Sequence, residues 1–284
     1  MKKINSSTST DSDKRLTALV IWYWWALWTL LSAVLLNNWI AVYGVWREKL
    51  KALKDTVYIE WKQYILPKKH YKIPTDKEFD MIIIATKTND NSSILAEIKD
   101  KWIRSKQLIL IQNWLLSEEE LNQYKWYWIP FNTIAINWAY SFNQLSNEIV
   151  VHKSIIWWQI KDDKDWIKVA KLLTNSWIVT NPSKDIETQR ASKLIINCLV
   201  SGLTSIFDMR IRELFHNHKT KSLLNELFNE CYEVLSKTGK YNFPSYELQK
   251  DYVYTALEHR YWWHYSSMHV DVQRKRRTEI DKMN

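Results

Sequence analysis

Between Leu16 and Trp46 the chain carries no charged residue. A run of that length must leave water, either for a bilayer or for a protein core. About 20 apolar residues cross a membrane. Lys14, Arg15 and Arg47 flank the run, and Trp is common at membrane interfaces. A non-catalytic protein with a membrane-inserted, Trp-rich N-terminus is therefore one reading. Three features oppose it. Asn37 and Asn38 interrupt the second half, and Trp22, Trp24, Trp25 and Trp28 cluster instead of marking the two ends. The rest of the chain offers no second span and reads as an enzyme with no membrane partner.

The same run also reads as the start of an α/β domain. Leu16–Ile21 has the pattern of a short strand, Thr29–Asn38 of an apolar helix and Ile40–Tyr43 of a second strand. Such a unit binds dinucleotides when the turn after its first strand is glycine-rich. The backbone can then approach the pyrophosphate, and the helix N-terminus faces its charge. Here the turn is written with Trp. Composition now matters: 284 residues hold 18 Trp and 3 Gly, where about 7% Gly would give roughly 20. Trp and Gly together make up the share that Gly usually has alone. The codon UGA is read as Gly in some bacterial lineages and as Trp under a common alternative code. Most Trp positions therefore read as Gly. Trp39 falls where a glycine would stop the helix, and Trp157-Trp158 reads as a Gly-Gly turn between strands Glu148–His152 and Ser154–Ile156. The spacing is imperfect. Positions 22, 24 and 28 give a motif one residue longer than GxGxxG, while 25 and 28 fit its last two glycines with Tyr23 in first place.

Further strands are expected at Phe79–Ala85, Gln107–Ile111, Ile129–Asn137 and Ile178–Thr180, with a helix at Asp165–Asn175. Lys87 and Asn113 follow two of these strands, at the carboxyl edge where open α/β sheets bind ligands. Arg47, after the second strand, suits the 2′-phosphate of NADP. Asn181-Pro182-Ser183 reads as a linker. Beyond it the pattern is helical, over Ile186–Ser201, Leu203–Leu214, Ser222–Thr238, Tyr246–Tyr261 and Ser267–Ile280. The expected organisation is a disordered extension (1–15), a Rossmann-like NADP-binding domain (16–182) and an all-α substrate and catalytic domain (183–284), truncated at its C-terminus.

Charge narrows the partners. The net charge is +9, but the 40 basic and 31 acidic residues are mixed, with no basic run before Arg274–Arg277. This argues against a nucleic-acid interface. Cys198 and Cys231 form no CxxC pattern, which fits a reducing, cytoplasmic setting. His264 and His269 have no carboxylate or Cys at ligand spacing, so no metal is expected.

Three stretches carry a resemblance. They are Lys193–Cys198 with Leu203–Ile206, the terminal Ser266–Asn284, and the N-terminal turn with Lys87 and Gln112-Asn113-Trp114. Together they resemble the ketopantoate reductase (2-dehydropantoate 2-reductase) family over nearly the whole chain after Arg15. The sharpest piece, Ser267-Met268 with Asp271 and then Arg277–Asp281, contains no Trp. The resemblance implies NADPH-dependent reduction of ketopantoate to pantoate, on the way to pantothenate and coenzyme A. It implies Lys193 as general acid and Glu279 as the residue that binds the substrate hydroxyl and orients Lys193. It further implies Asn197, Ser201 and Ser267 around the substrate. Cofactor contacts fall to the 22–28 turn, Arg47, Lys87 and Asn113. Ser201 stands where the family often has Asn, which leaves open a related 2-oxo or 3-hydroxy acid reductase. A homodimer is compatible with all of this.

Overall fold

A computed structural model describes residues 15–22, 25–46, 55–59, 62–87, 90–111, 115, 119–120, 122, 131–133, 135–143, 148–175, 178–260 and 262–282. The expected extension, 1–15, lies outside these apart from Arg15. Arg15 is held in the fold, donating to the carbonyls of Trp39 (2.9 Å) and Ile40 (3.3 Å).

The uncharged run folds as a β-α-β unit. Strand β1 (Thr17–Trp22) leads to helix α1 (Trp25–Asn37) and then strand β2 (Ala41–Trp46). The helix starts at Trp25, earlier than the expected Thr29. At 13 residues α1 is below a membrane span, and no helix among the described residues is long and apolar enough to cross one.

The chain continues through β3 (Thr56–Ile59), β4 (Lys62–Ile65), β5 (Lys69–His70), β6 (Glu78–Phe79) and β7 (Met81–Ala85). Helix α2 (Asn91–Asp100) is followed by β8 (Arg104–Ser105), β9 (Leu108–Leu110), β10 (Phe131–Thr133), β11 (Ala135–Asn143) and β12 (Glu148–Lys161). Helix α3 (Lys164–Asn175) and strand β13 (Thr180–Ser183) close this half.

Six strands form one sheet in the order β10-β9-β7-β1-β2-β5, parallel throughout. Its strands β7 and β9 are apolar at every position because both faces are covered. Ala18 and Val20 of β1, with Met81, Ile83 and Ala85 of β7, face the core that holds α1 and α3. Leu19, Ile21, Ile82 and Ile84 face the opposite core with Ile94, Leu95 and Ile98 of α2. Each fully buried Leu or Ile side chain contributes about 1.5–3 kcal/mol. A second sheet, β11-β12-β3-β4 with β13 alongside β12, covers the first core.

Several expectations fail in this half of the chain. Trp157 and Trp158 are no turn: they lie inside β12, paired with Asn137 and Ile136, and Trp158 is wholly buried. The two expected strands are one because β11 and β13 pair along its length. Within the expected strand Ile129–Asn137, residues 131–133 belong to β10 and 135–137 to β11. Asn181-Pro182-Ser183 is part of β13 and no linker. Pro182 is tolerated because, among the described residues, that strand pairs with β12 alone, so its missing N–H breaks no second ladder there.

The C-terminal half is helical. It comprises α4 (Ile186–Phe207), α5 (Ile211–His216), α6 (His218–Lys237), α7 (Tyr246–Arg260) and α8 (Ser267–Gln273), then a 3-10 turn at Ile280–Lys282. Asp185 caps α4 by accepting from the Thr188 N–H. Helix α4 runs past the expected Ser201 and stops at Asp208, whose φ is +51°. The expected helix Leu203–Leu214 is thus the end of α4 plus α5. The expected helix Ser267–Ile280 stops at Gln273. Arg276 N–H donates to the carbonyl of Asp271, and Lys275 adopts φ +52°, which turns the chain back.

Candidate active site

In a parallel sheet of this kind ligands lie beyond the carboxyl ends of the strands. Strand β1 ends there at Trp22, and α1 begins at Trp25, with Trp28 in its first turn. The backbone path therefore supplies the helix N-terminus that the dinucleotide reading requires. Trp24, Arg47 and Asn113 lie outside the described residues.

Strand β7 delivers Thr86 and Lys87 to the same edge, both buried. The Thr86 hydroxyl donates to Asn91 Oδ1 (3.2 Å) at the start of α2. The Asn91 amide nitrogen is itself buried and meets no hydrogen-bond acceptor among the described residues. Asn91 went unnoticed in the sequence, where Asn-Asp-Asn reads as turn chemistry.

Lys87 does not simply line a cleft. Its ammonium stands 3.0 Å from Asp271 Oδ2 on α8 and also donates to the carbonyl of Arg277. Burial pushes the Asp271 carboxyl up from its ordinary range, against the hydrogen bond and charge of Lys87 and the charges of Arg276 and Arg274. Asp271 was visible in the sequence as part of a motif but without a role. Its signal is a lone carboxylate between Val270 and Val272.

Helix α4 carries Lys193, Asn197 and Ser201 at successive four-residue steps, and so on one side. Lys193 and Asn197 are half-buried. The Asn197 amide nitrogen is buried and has no acceptor among the described residues. A buried donor left in that state costs about 1–3 kcal/mol, which a ligand oxygen would relieve. Ser201 is fully buried where α4 meets α8. Its carbonyl accepts from Ser205 Oγ (2.6 Å) and more distantly from Ser266 Oγ (3.5 Å). Ser266, joined to Thr204 at 2.6 Å, caps α8 by accepting from the His269 N–H. Ser267 is the first residue of α8 and is exposed. Glu279, half-buried, follows Arg277 by two residues in the turn after α8, not on a helix.

His269 is held by protein contacts. Its Nε2 lies 2.6 Å from Asp208 Oδ1, and its ring stacks on Tyr265. No group of three metal-ligating side chains occurs among the described residues.

Residues 26–162 match the family model described as ketopantoate reductase PanE/ApbA, and residues 185–284 match its C-terminal counterpart. A 2-dehydropantoate 2-reductase of Aquifex aeolicus is 30% identical over 126 residues, which cover 44% of this chain and 40% of that protein. Among solved structures, a PanE/ApbA family ketopantoate reductase from Ralstonia eutropha superposes with a TM-score of 0.79 at 15% identity, covering 94% of this chain and 89% of that one. A D-mandelate dehydrogenase solved with NADH and anilino(oxo)acetate gives 0.78 at 18% identity, covering 94% and 88%. At these identities the structures share the fold.

Proposed function

From a chain that belongs to the ketopantoate reductase family, we propose an enzyme that uses NADPH to reduce 2-dehydropantoate to pantoate. One observation carries the reading. On α4, the amine-bearing Lys193 shares a helix side with Asn197, whose buried amide donor meets no acceptor among the described residues. That is the arrangement a carboxylate- or hydroxyl-bearing substrate would complete.

The residues at the sheet edge suit a dinucleotide. The β1–α1 turn would hold the pyrophosphate, and the buried Asn91 amide offers a further donor nearby along the edge. Arg47 would take the 2′-phosphate, and Asn113 would line the cleft. A bound NADPH supplies the hydride. Lys193 donates a proton to the oxygen that becomes an alcohol, and its charge stabilises the negative charge developing there. Glu279 accepts from the substrate hydroxyl and orients Lys193. Asn197 and Ser267 donate to substrate oxygens, with Ser201 packed behind them.

The reading that many written Trp positions carry Gly has its own support. Trp39 and Trp102 adopt φ of +65° and +54°, where glycine is favoured.

The test is oxidation of NADPH by protein purified from its native host. It should require ketopantoate. Lys193→Ala should lower turnover by about 10²- to 10⁴-fold with the melting temperature unchanged. Turnover near the parent value would remove Lys193 from the role. A substrate preference for another 2-oxo acid would shift the reading to a related reductase.

A further inference from the structure

Lys87 and Asp271 are 184 residues apart in the chain and 3.0 Å apart in space. Their side chains are 9% and 5% exposed. Such a pair gains little net stability, because desolvating both charges offsets their attraction, and apolar residues of similar volume hold a fold as well or better. An ion pair does supply direction, which an apolar contact does not. Here the direction is fixed twice, since the same ammonium also donates to the Arg277 carbonyl. The segment between those two points is compact. Arg276 N–H donates to Asp271 O (2.8 Å) and Lys275 N–H to Val272 O (2.9 Å). Ser267 lies one helical turn before Asp271, and Glu279 lies two residues beyond Arg277.

We propose that Asp271 is a positioning residue: paired with Lys87, it fixes the segment from Ser267 to Glu279 against the carboxyl edge of the parallel sheet. This rests on the reductase reading, because it assigns Ser267 and Glu279 to the substrate. Lys87 is then the peg of this clamp as well as a wall of the cleft. The clamp would set the distance between the β7 edge, on the cofactor side, and the carboxylate of Glu279. A displacement of about 1 Å in such a distance can cost about 100-fold in rate.

The experiment compares Asp271→Asn, Lys87→Met and the double variant with the parent. Hydrogen exchange is measured over residues 86–91 and 274–282, and steady-state kinetics with NADPH and ketopantoate. Each single variant should speed exchange in both stretches. Each should lower kcat by about 10- to 100-fold, with KM for ketopantoate changed far less. The double variant should resemble the singles, since the partners act as a unit. If a lone unpaired charge prevents either single variant from folding, the double variant strands no charge and carries both measurements. A merely structural pair would lower the melting temperature and leave kcat alone, and that result overturns the proposal. So do multiplying effects of the two substitutions on kcat, or unchanged exchange at 274–282. A parent chain inactive on ketopantoate would sink the reductase reading, while the exchange data would still decide whether the clamp exists.

Discussion

Two residues with positive φ tie the odd composition to the backbone. Trp39 and Trp102 each follow a helix, and each terminus closes with the backbone bonds of a left-handed cap. Ile40 N–H reaches Leu35 O at 3.2 Å, and Ile103 N–H reaches Ile98 O at 3.1 Å. An L-residue in that conformation costs about 1–2 kcal/mol, and glycine avoids the cost. Both indoles are largely exposed, at 83% and 74%, so little packing opposes the change. Trp39→Gly and Trp102→Gly should each raise the melting temperature, by about 1 kcal/mol of stability, in thermal unfolding. Trp158 and Trp166 behave oppositely. Both are buried in the core under the second sheet, so Trp158→Gly should destabilise by about 3–5 kcal/mol or more. Peptide sequencing of protein from the native host should therefore find Gly at 39 and 102 if the UGA reading holds. The need at Trp39 was legible, because it follows an apolar helix and precedes a strand. Trp157-Trp158 was misread. A residue pair between two apolar stretches has no local mark that separates a turn from the middle of a long strand, and the strands that decide it, β11 and β13, are separate elements.

At the scale of elements, the start of β1 is secured by one carboxylate. Asp80 accepts from the Thr17 N–H (2.9 Å) and hydroxyl (3.0 Å) and pairs with Lys106 at 2.8 Å. Burial raises its pKa, but the hydrogen bonds from Lys106 and Thr17 together outweigh it and hold the carboxyl below its ordinary range. A depressed folded-state value adds stability that is complete above the ordinary Asp range and is lost as pH falls through the folded value. Asp80→Asn should accordingly lower the melting temperature at neutral pH, and the gap to the parent should close as the pH is lowered past the ordinary Asp range. Melting curves between neutral and acid pH measure this. The strands that Asp80 joins were legible from apolar runs alone. The end of α8 was not. Residues 274–277 are Arg, Lys, Arg and Arg, good helix formers without a breaker. What stops the helix is a backbone bond to Asp271 O and the left-handed Lys275, neither of which has a residue-type signature.

At the scale of the whole molecule, the sequence revealed the parallel sheet because its strands are buried on both faces and read as unbroken apolar runs. It also revealed the change to helices after Asp185, where the period of the apolar residues shifts. The second sheet was hidden. Its β3–β4 hairpin joins β12 across a long stretch of chain, and such pairings leave no local pattern. For the site, the family resemblance gave the candidates on α4, and the ends of apolar strands gave those at the sheet edge. The bond between Lys87 and Asp271 could come only from the fold. That bond also has a consequence in time. A ribosome adding about 5–20 residues per second makes Lys87 and then needs another 184 residues, roughly 10 to 40 s, before the opposing carboxylate exists. Until then this ammonium lacks the Asp271 carboxylate that meets it in the folded chain. The contact between Lys87 and α8 is therefore made only after nearly the whole chain has been synthesised.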